Sequence, residues 1–143
     1  MVIGRMVDQP AAALSKRVAA FLGTHTTLSL ATVSHDGKPA VAAMFYAHDA
    51  DLNLYFLSEM ATLHGQNLRA NSQVAGTIHA DGQDWQTIKG LQLKGRATPV
   101  PAGELAHAMA IYGRKFAFIR ALLAGSGGPA ALVGPLARAR FYV

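Results

Sequence analysis

Hydrophobic and polar positions alternate along most of this chain, and the period of the alternation changes at a few defined places. Leu14, Val18 and Phe21–Leu22 recur at helical spacing, which predicts an amphipathic helix over 10–22 with Gly23 as its stop. From Thr26 to Ser34 the period falls to two, with Leu28 and Leu30 set against Ser29 and Ala31, the mark of a half-buried strand. The turn "SHDGKP" carries Asp-Gly, a strong hairpin signal, before a second strand over Ala40–Ala47. A second turn, "HDAD", leads to a third strand over Leu52–Leu57. A short helix is predicted over 61–70, in which Gly65 costs about 1 kcal/mol relative to alanine. A fourth strand follows over Gln73–His79, then "DGQD" as a turn, then a long fifth strand over Thr87–Val100 ended by Pro99 and Pro101. Residues 102–124 return to helical spacing, with Gly113 as the expected divide between two helices. Leu136–Val143 alternates again, which predicts a final strand with one basic face.

Six strands joined mostly by short turns, with helices at a few places, predict a mainly β domain. So many antiparallel strands favour closure into a β-barrel with peripheral helices, because closure removes exposed edges. The 143 residues suit a single domain spanning 1–143. Composition refines this picture. Hydrophobic residues make up 51% and charged residues only 15%, more apolar surface than a monomer of this size needs to hide, so a homodimer is expected. There is no cysteine, which excludes disulfides and thiolate metal sites and fits a reducing cytoplasm. Arg5, Asp8, Lys16 and Arg17 interrupt the first apolar stretch, so no signal peptide is expected. The uncharged run over 121–137 holds too many glycines and prolines for a membrane-spanning helix. A net charge of +5 and a pI near 9.9 favour anionic partners, whether nucleic acid, acidic lipid or a phosphorylated small molecule, and equally suit a mildly basic soluble surface. The densest basic cluster, Arg114, Lys115 and Arg120, is too thin for a nucleic-acid stripe.

Most motif-like stretches fail on context. Ser34-His35-Asp36 spells a triad, but a working triad converges in space rather than along a turn. "GSGGPA" at 125–130 follows a helix rather than a strand, the wrong setting for a dinucleotide loop. None of the six histidines forms a close ligand pair, so no metal site is expected. Trp85 reads as a core or interface residue. One stretch carries chemistry. In "FLSEMATLHGQNLRAN" a strand gives way to a helix just where Ser58, Thr62 and His64 cluster. A helix N-terminus offers free N–H groups and a positive dipole end, a ready anion site. The same residues also suit a plain capped helix with an exposed histidine, and the physics alone leaves both readings open.

The ordered set of motifs over residues 27–100, from "TLSLATVSHDGKPAVAAMFY" through "FLSEMATLHGQNLRAN" to "IKGLQLKGRATPV", resembles the pyridoxamine 5′-phosphate oxidase-like flavoproteins, and "RARFYV" suits their last strand. The resemblance implies an FMN-binding split β-barrel, a homodimer with FMN between subunits, and oxidoreductase chemistry on a small-molecule substrate. It also implies site residues. The backbone bordering the flavin ring maps to Ala43, Met44, Phe45 and Tyr46; a tyrosine-threonine pair beside the ring maps to Leu57 and Ser58. A phosphate-gripping serine-arginine-lysine run maps to Thr62, Leu63 and His64, and an arginine-glutamine pair maps to Lys89 and Gly90. The chain departs from the oxidase pattern at Ala42 and Ala47, where the oxidase carries arginine and lysine, and this argues against vitamin B6 oxidation itself. Within the same fold, a deazaflavin-binding or haem-binding role and a non-enzymatic flavin carrier or sensor are the alternatives.

Overall fold

The computed structural model describes residues 11–123 and 139–143. Its elements are α1 (Ala11–Thr24), β1 (Thr27–Val33), β2 (Pro39–His48), β3 (Leu54–Glu59), α2 (Leu63–Ala70), β4 (Gln73–His79), β5 (Gly90–Arg96), α3 (Leu105–Lys115), α4 (Ala117–Leu123) and β6 (Ala139–Tyr142). The strands form one antiparallel sheet in the order β5-β4-β1-β2-β3-β6. Beyond Arg96 the chain changes partner. Ala97 still donates to the Ser72 carbonyl, but Thr98 and Val143 exchange backbone hydrogen bonds at 2.9 and 3.0 Å, and Val100 donates to Phe141. The sheet's first and last strands are thereby joined, and the barrel closes.

Period-two alternation explains which side chains fill it. Leu28, Leu30 and Thr32 of β1 point inward with Met44 and Tyr46 of β2, Phe56, Ile78 and Tyr142. Phe56 and Tyr142 stack with ring centres 5.4 Å apart. The two ends of the barrel are stopped by helices. At one end Leu22 of α1 enters the core and its carbonyl accepts from the Tyr46 hydroxyl at 2.9 Å. At the other, Leu68 of α2 enters and the buried Asn67 amide donates to Thr32 Oγ1 at 3.0 Å. A second core lies outside the barrel, where Ala108, Ile111, Tyr112, Phe116 and Ile119 cover Ala47, Tyr55 and Val100.

Several sequence expectations need correction. α1 runs past Gly23 to Thr24. The third strand starts and ends two residues later than the pattern implied, because a tight turn held by Asp49 occupies 49–53: its carboxylate accepts from the backbone N–H groups of Asp51 and Asn53. The fifth strand is shorter. Gln83 holds 83–89 as a loop by bonding both backbone groups of Lys89, and the extended residues after Arg96 belong to the closure instead. The helical region divides at Phe116, while Gly113 is buried inside α3 against the Arg120 side chain. β6 has no purely basic face: Tyr142 points into the barrel with the parity of Arg140, and Phe141 packs under α3. Trp85 is 81% exposed and is no core residue. "GSGGPA" and Leu136–Arg138 lie outside the described residues. Ser34, His35 and Asp36 form the β1–β2 turn, with Gly37 at φ +82° and Asp36 ion-paired to Lys38 at 2.7 Å.

Candidate functional site

β2 pairs with β1 from Pro39 to Phe45 but meets β3 only from Tyr46 to His48. Past that point β3 turns away to pair with β6 through Phe56–Glu59. The half of β2 before Tyr46 therefore has a strand partner on one side and, among the described residues, none on the other. Successive residues of a strand point their N–H and C=O groups to opposite sides. The Tyr46 N–H donates toward β1, to Thr26 O at 3.1 Å, so Phe45 and Ala43 direct theirs to the open side. The Phe45 carbonyl is met there by the Tyr112 hydroxyl at 3.2 Å. The barrel is split here, and the split exposes backbone hydrogen-bonding groups at a fixed strand edge.

The side chains around this edge divide by parity. Met44 and Tyr46 have their side chains buried in the barrel and their backbone groups turned toward β1, so the open edge is supplied by Ala43 and Phe45. Ala43 and Phe45 face outward; Phe45 is 51% exposed and its ring meets Phe116 edge-on at 5.5 Å. Leu57 is half-buried against the second core and Ser58 is buried. The Glu59 carbonyl gathers the hydroxyls of Ser58 at 3.4 Å and Thr62 at 2.7 Å and the Thr62 N–H at 3.1 Å. Thr62 is the N-cap of α2 and also accepts from the Gly65 N–H at 3.2 Å. Its hydroxyl is thus committed to the helix, and the remaining donors at this terminus are the N–H groups of Leu63 and His64. The Leu63 side chain is exposed, and His64 is half-buried. Burial pushes the His64 imidazole below the usual histidine range, so at neutral pH it offers one N–H rather than a charge.

Lys89 is exposed at the β4–β5 turn, beside the His79–Gly90 pair and level with the start of β1. α2 packs against the other end of β1 through Asn67 and Thr32. β1 is seven residues long, so about 20 Å separates its ends. Lys89 is therefore apart from the 62–64 run; Ser58 and Thr62 meet at the Glu59 carbonyl, and Ala43, Met44 and Phe45 lie opposite Ser29, Leu28 and Thr27 in the first half of β1.

Two recesses, one bordering this edge at Ala43 and one beside α2, were not marked by the sequence patterns. A shallow one of about 680 Å³ beside α2 is lined by His35, Met60, Ala61, Gln66 and Arg69. A polar one of about 340 Å³ on the outer sheet face includes His25, Thr27, Ser29, Ala43, Thr77 and His79. Alternation already places Ser29 and Thr77 outward, but only the β1–β4 register sets them side by side. Among the described residues no group of three His, Asp or Glu side chains is placed to hold a metal ion, and no helix is long and apolar enough to cross a membrane.

A closed antiparallel barrel, split along one strand and stoppered by helices, defines the class: the chain belongs to the pyridoxamine 5′-phosphate oxidase family, whose model matches residues 14–134. Among its relatives, the UPF0306 protein of Photorhabdus laumondii is 34% identical over 97 residues, 67% of each chain. A UPF0306 protein of Klebsiella pneumoniae is 33% identical over 93 residues, 63% of its own length. Among solved structures, a protein of unknown function from Agrobacterium tumefaciens superposes with a TM-score of 0.71 at 26% identity, covering 96% of this chain and 56% of that one. The haem storage protein HutZ of Vibrio cholerae superposes with a TM-score of 0.70 at 22% identity, covering 89% and 85%. The last likeness concerns the fold alone.

Proposed function

We propose that this chain is one subunit of a homodimer that binds FMN along the open edge of β2 and acts as an oxidoreductase on a small organic molecule. The observation that carries this reading is the split itself. The backbone groups of Ala43 and Phe45 stand at an edge fixed by β1 on one side and by the buried Met44 and Tyr46 side chains beneath. Such an edge fits the heteroatoms of a planar ring system. Bound FMN would supply the electron transfer, and the protein would supply position and exclusion of water. Leu57 and Ser58 would border the ring. The N–H groups of Leu63 and His64, with the Thr62-capped helix behind them, would hold the phosphate. Lys89 is too far from α2 in the same chain and would come from the partner subunit.

A second reading is a haem-binding role. It is favoured by the alanines at 42 and 47, which leave no guanidinium or ammonium for a phosphate on β2, and by the likeness to a haem storage protein. Titrating the purified protein with FMN by fluorescence quenching and with haemin by absorbance separates the two. Saturable FMN binding at micromolar levels supports the flavoprotein. Saturation by haemin alone favours the second reading. FMN that fails to saturate below about 1 mM, roughly −4.1 kcal/mol, would rule the first out.

The histidine gives this test a pH signature. A phosphate dianion draws a proton onto His64 and raises its pKa from the lowered value of the free protein. Binding then takes up a proton, so affinity falls as pH rises from about 6.5 to 8.5, where the FMN phosphate is already mostly dianionic and its own ionisation no longer opposes the effect. The slope should flatten in His64→Gln; equal slopes would place the phosphate elsewhere.

A further inference from the structure

We propose that the barrel interior beneath the β4–β5 ribbon is a second binding site, for a small apolar molecule carrying one anionic group. Barrels of this size normally fill their interiors with side chains. Here the inward positions of the ribbon are Val74 opposite Gly95, Gly76 opposite Leu93 and Ile78 opposite Leu91, so two of the six carry no side chain. The two glycines differ in kind. A Cβ on Gly76 would stand 2.9 Å from the Ser29 carbonyl oxygen, so that glycine is demanded by close packing of the backbone. A Cβ on Gly95 would meet nothing within 4 Å, and its φ is ordinary. Gly95 is itself exposed, so the open space beside it is the mouth of the interior.

The result is a cavity of about 420 Å³ with walls that include Leu22, Leu28, Leu30, Phe56, Val74 and Leu93. That volume lies within the range of small-ligand pockets, about 300–1,000 Å³. Apolar walls facing a void forgo dispersion contacts, which an apolar ligand would restore. The polar residues bordering the cavity fix the other end of the ligand. They include Lys94, Arg96 and Asn53, with no acidic residue. Lys94 and Arg96 start from the outer face of the ribbon and flank the exposed Gly95, so their charges stand at the mouth and not on the walls. Both are exposed, and among the described residues neither has a carboxylate in salt-bridge contact. An apolar lumen beneath two unpaired cations is complementary to a medium-chain or aromatic carboxylate. The site is separate from the β2 edge, whose free groups face out of the barrel.

Decanoate is the probe, with decanol as its uncharged counterpart, both measured by calorimetry and by displacement of anilinonaphthalene sulfonate from the full chain. We expect saturable one-to-one binding with decanoate at least fivefold tighter than decanol. Gly95→Leu should weaken both by tenfold or more while leaving the circular dichroism spectrum and FMN titration unchanged. Lys94→Gln combined with Arg96→Gln should abolish the preference for decanoate and leave decanol as before. If Gly95→Leu does not fold, Gly95→Val, a smaller insertion into the same space, should still weaken both ligands several-fold. Absence of saturable binding overturns the proposal, as does a folded Gly95 variant that binds both ligands like the wild type.

Discussion

Lys115 is the residue whose behaviour the fold changes most. Its ammonium donates to the Leu22 carbonyl at 2.9 Å and lies 3.9 Å from the centre of the Tyr46 ring, whose hydroxyl donates to the same carbonyl. Leu22 is in the last turn of α1, where carbonyls lack helical partners, so β2 and α3 together satisfy a helix end. The carbonyl and the ring both favour the cation, but burial outweighs them and pushes Lys115 down to about 8 from an ordinary 10.5. Between those values the unfolded chain binds the proton and the folded chain does not, so stability rises with pH over that window. Burial raises Tyr46 to about 12, which acts in the opposite sense and only above pH 10. The melting temperature of the wild type should therefore climb relative to Lys115→Met between pH 8 and 10. Parallel curves would show that the ammonium is solvated in the folded protein. In the sequence Lys115 is one of three neighbouring cations. Nothing marks it as an internal tie, because its partner lies 93 positions away.

At the scale of the element, α2 shows how tertiary contact reverses a propensity. As a helical position Gly65 is worse than alanine by about 1 kcal/mol. In the structure a Cβ there would stand 2.5 Å from the Glu59 carbonyl oxygen and 3.0 Å from Met60 Cα, backbone atoms that cannot step aside. Gly65→Ala should therefore destabilise the protein by about 1–3 kcal/mol rather than stabilise it, seen as a lowered denaturant midpoint. A neutral or raised midpoint would mean that α2 is not docked this closely. β4 was legible residue for residue, and β1, β2 and α2 nearly so, because each has a clear period bounded by turn residues. β5 was not: alternation continues through 97–100 while the hydrogen-bond partner changes, and a pattern of one strand does not name its neighbour. The candidate site divides in the same way. The cluster at 58–64 stands out as local sequence, but the free edge of β2 depends on where β3 departs. The recess containing Arg69 and His35 depends on α2 meeting the β1–β2 turn.

At the scale of the whole molecule, the open face needs a cover. Val41 is 69% exposed and Phe45 51%, and Leu63 and Phe118 are also exposed, on a chain with few charges. A stable homodimer buries about 2,000–5,000 Å² or more, enough to enclose such a face and to bring a second Lys89 toward α2. Light scattering at micromolar concentration should give about twice 15.1 kDa, and Val41→Asp should shift the population toward monomer. A wild-type monomer would remove the shared-site architecture. Barrel closure was expected from strand number, but its means were hidden, since it rests on four residues beyond the regular part of β5.

That closure also sets an order of events. Thr98 and Val143 must find each other across 44 intervening residues, so their pairing carries the chain-entropy cost of a long loop. The hairpin of β1 and β2 and the ribbon of β4 and β5 close short loops and can form early. A seam completed late is absent from the folding transition state, and contacts absent there act mainly on the unfolding rate. The seam is thus the molecule's clock: weakening it would leave the speed of folding nearly untouched and shorten the lifetime of the folded barrel.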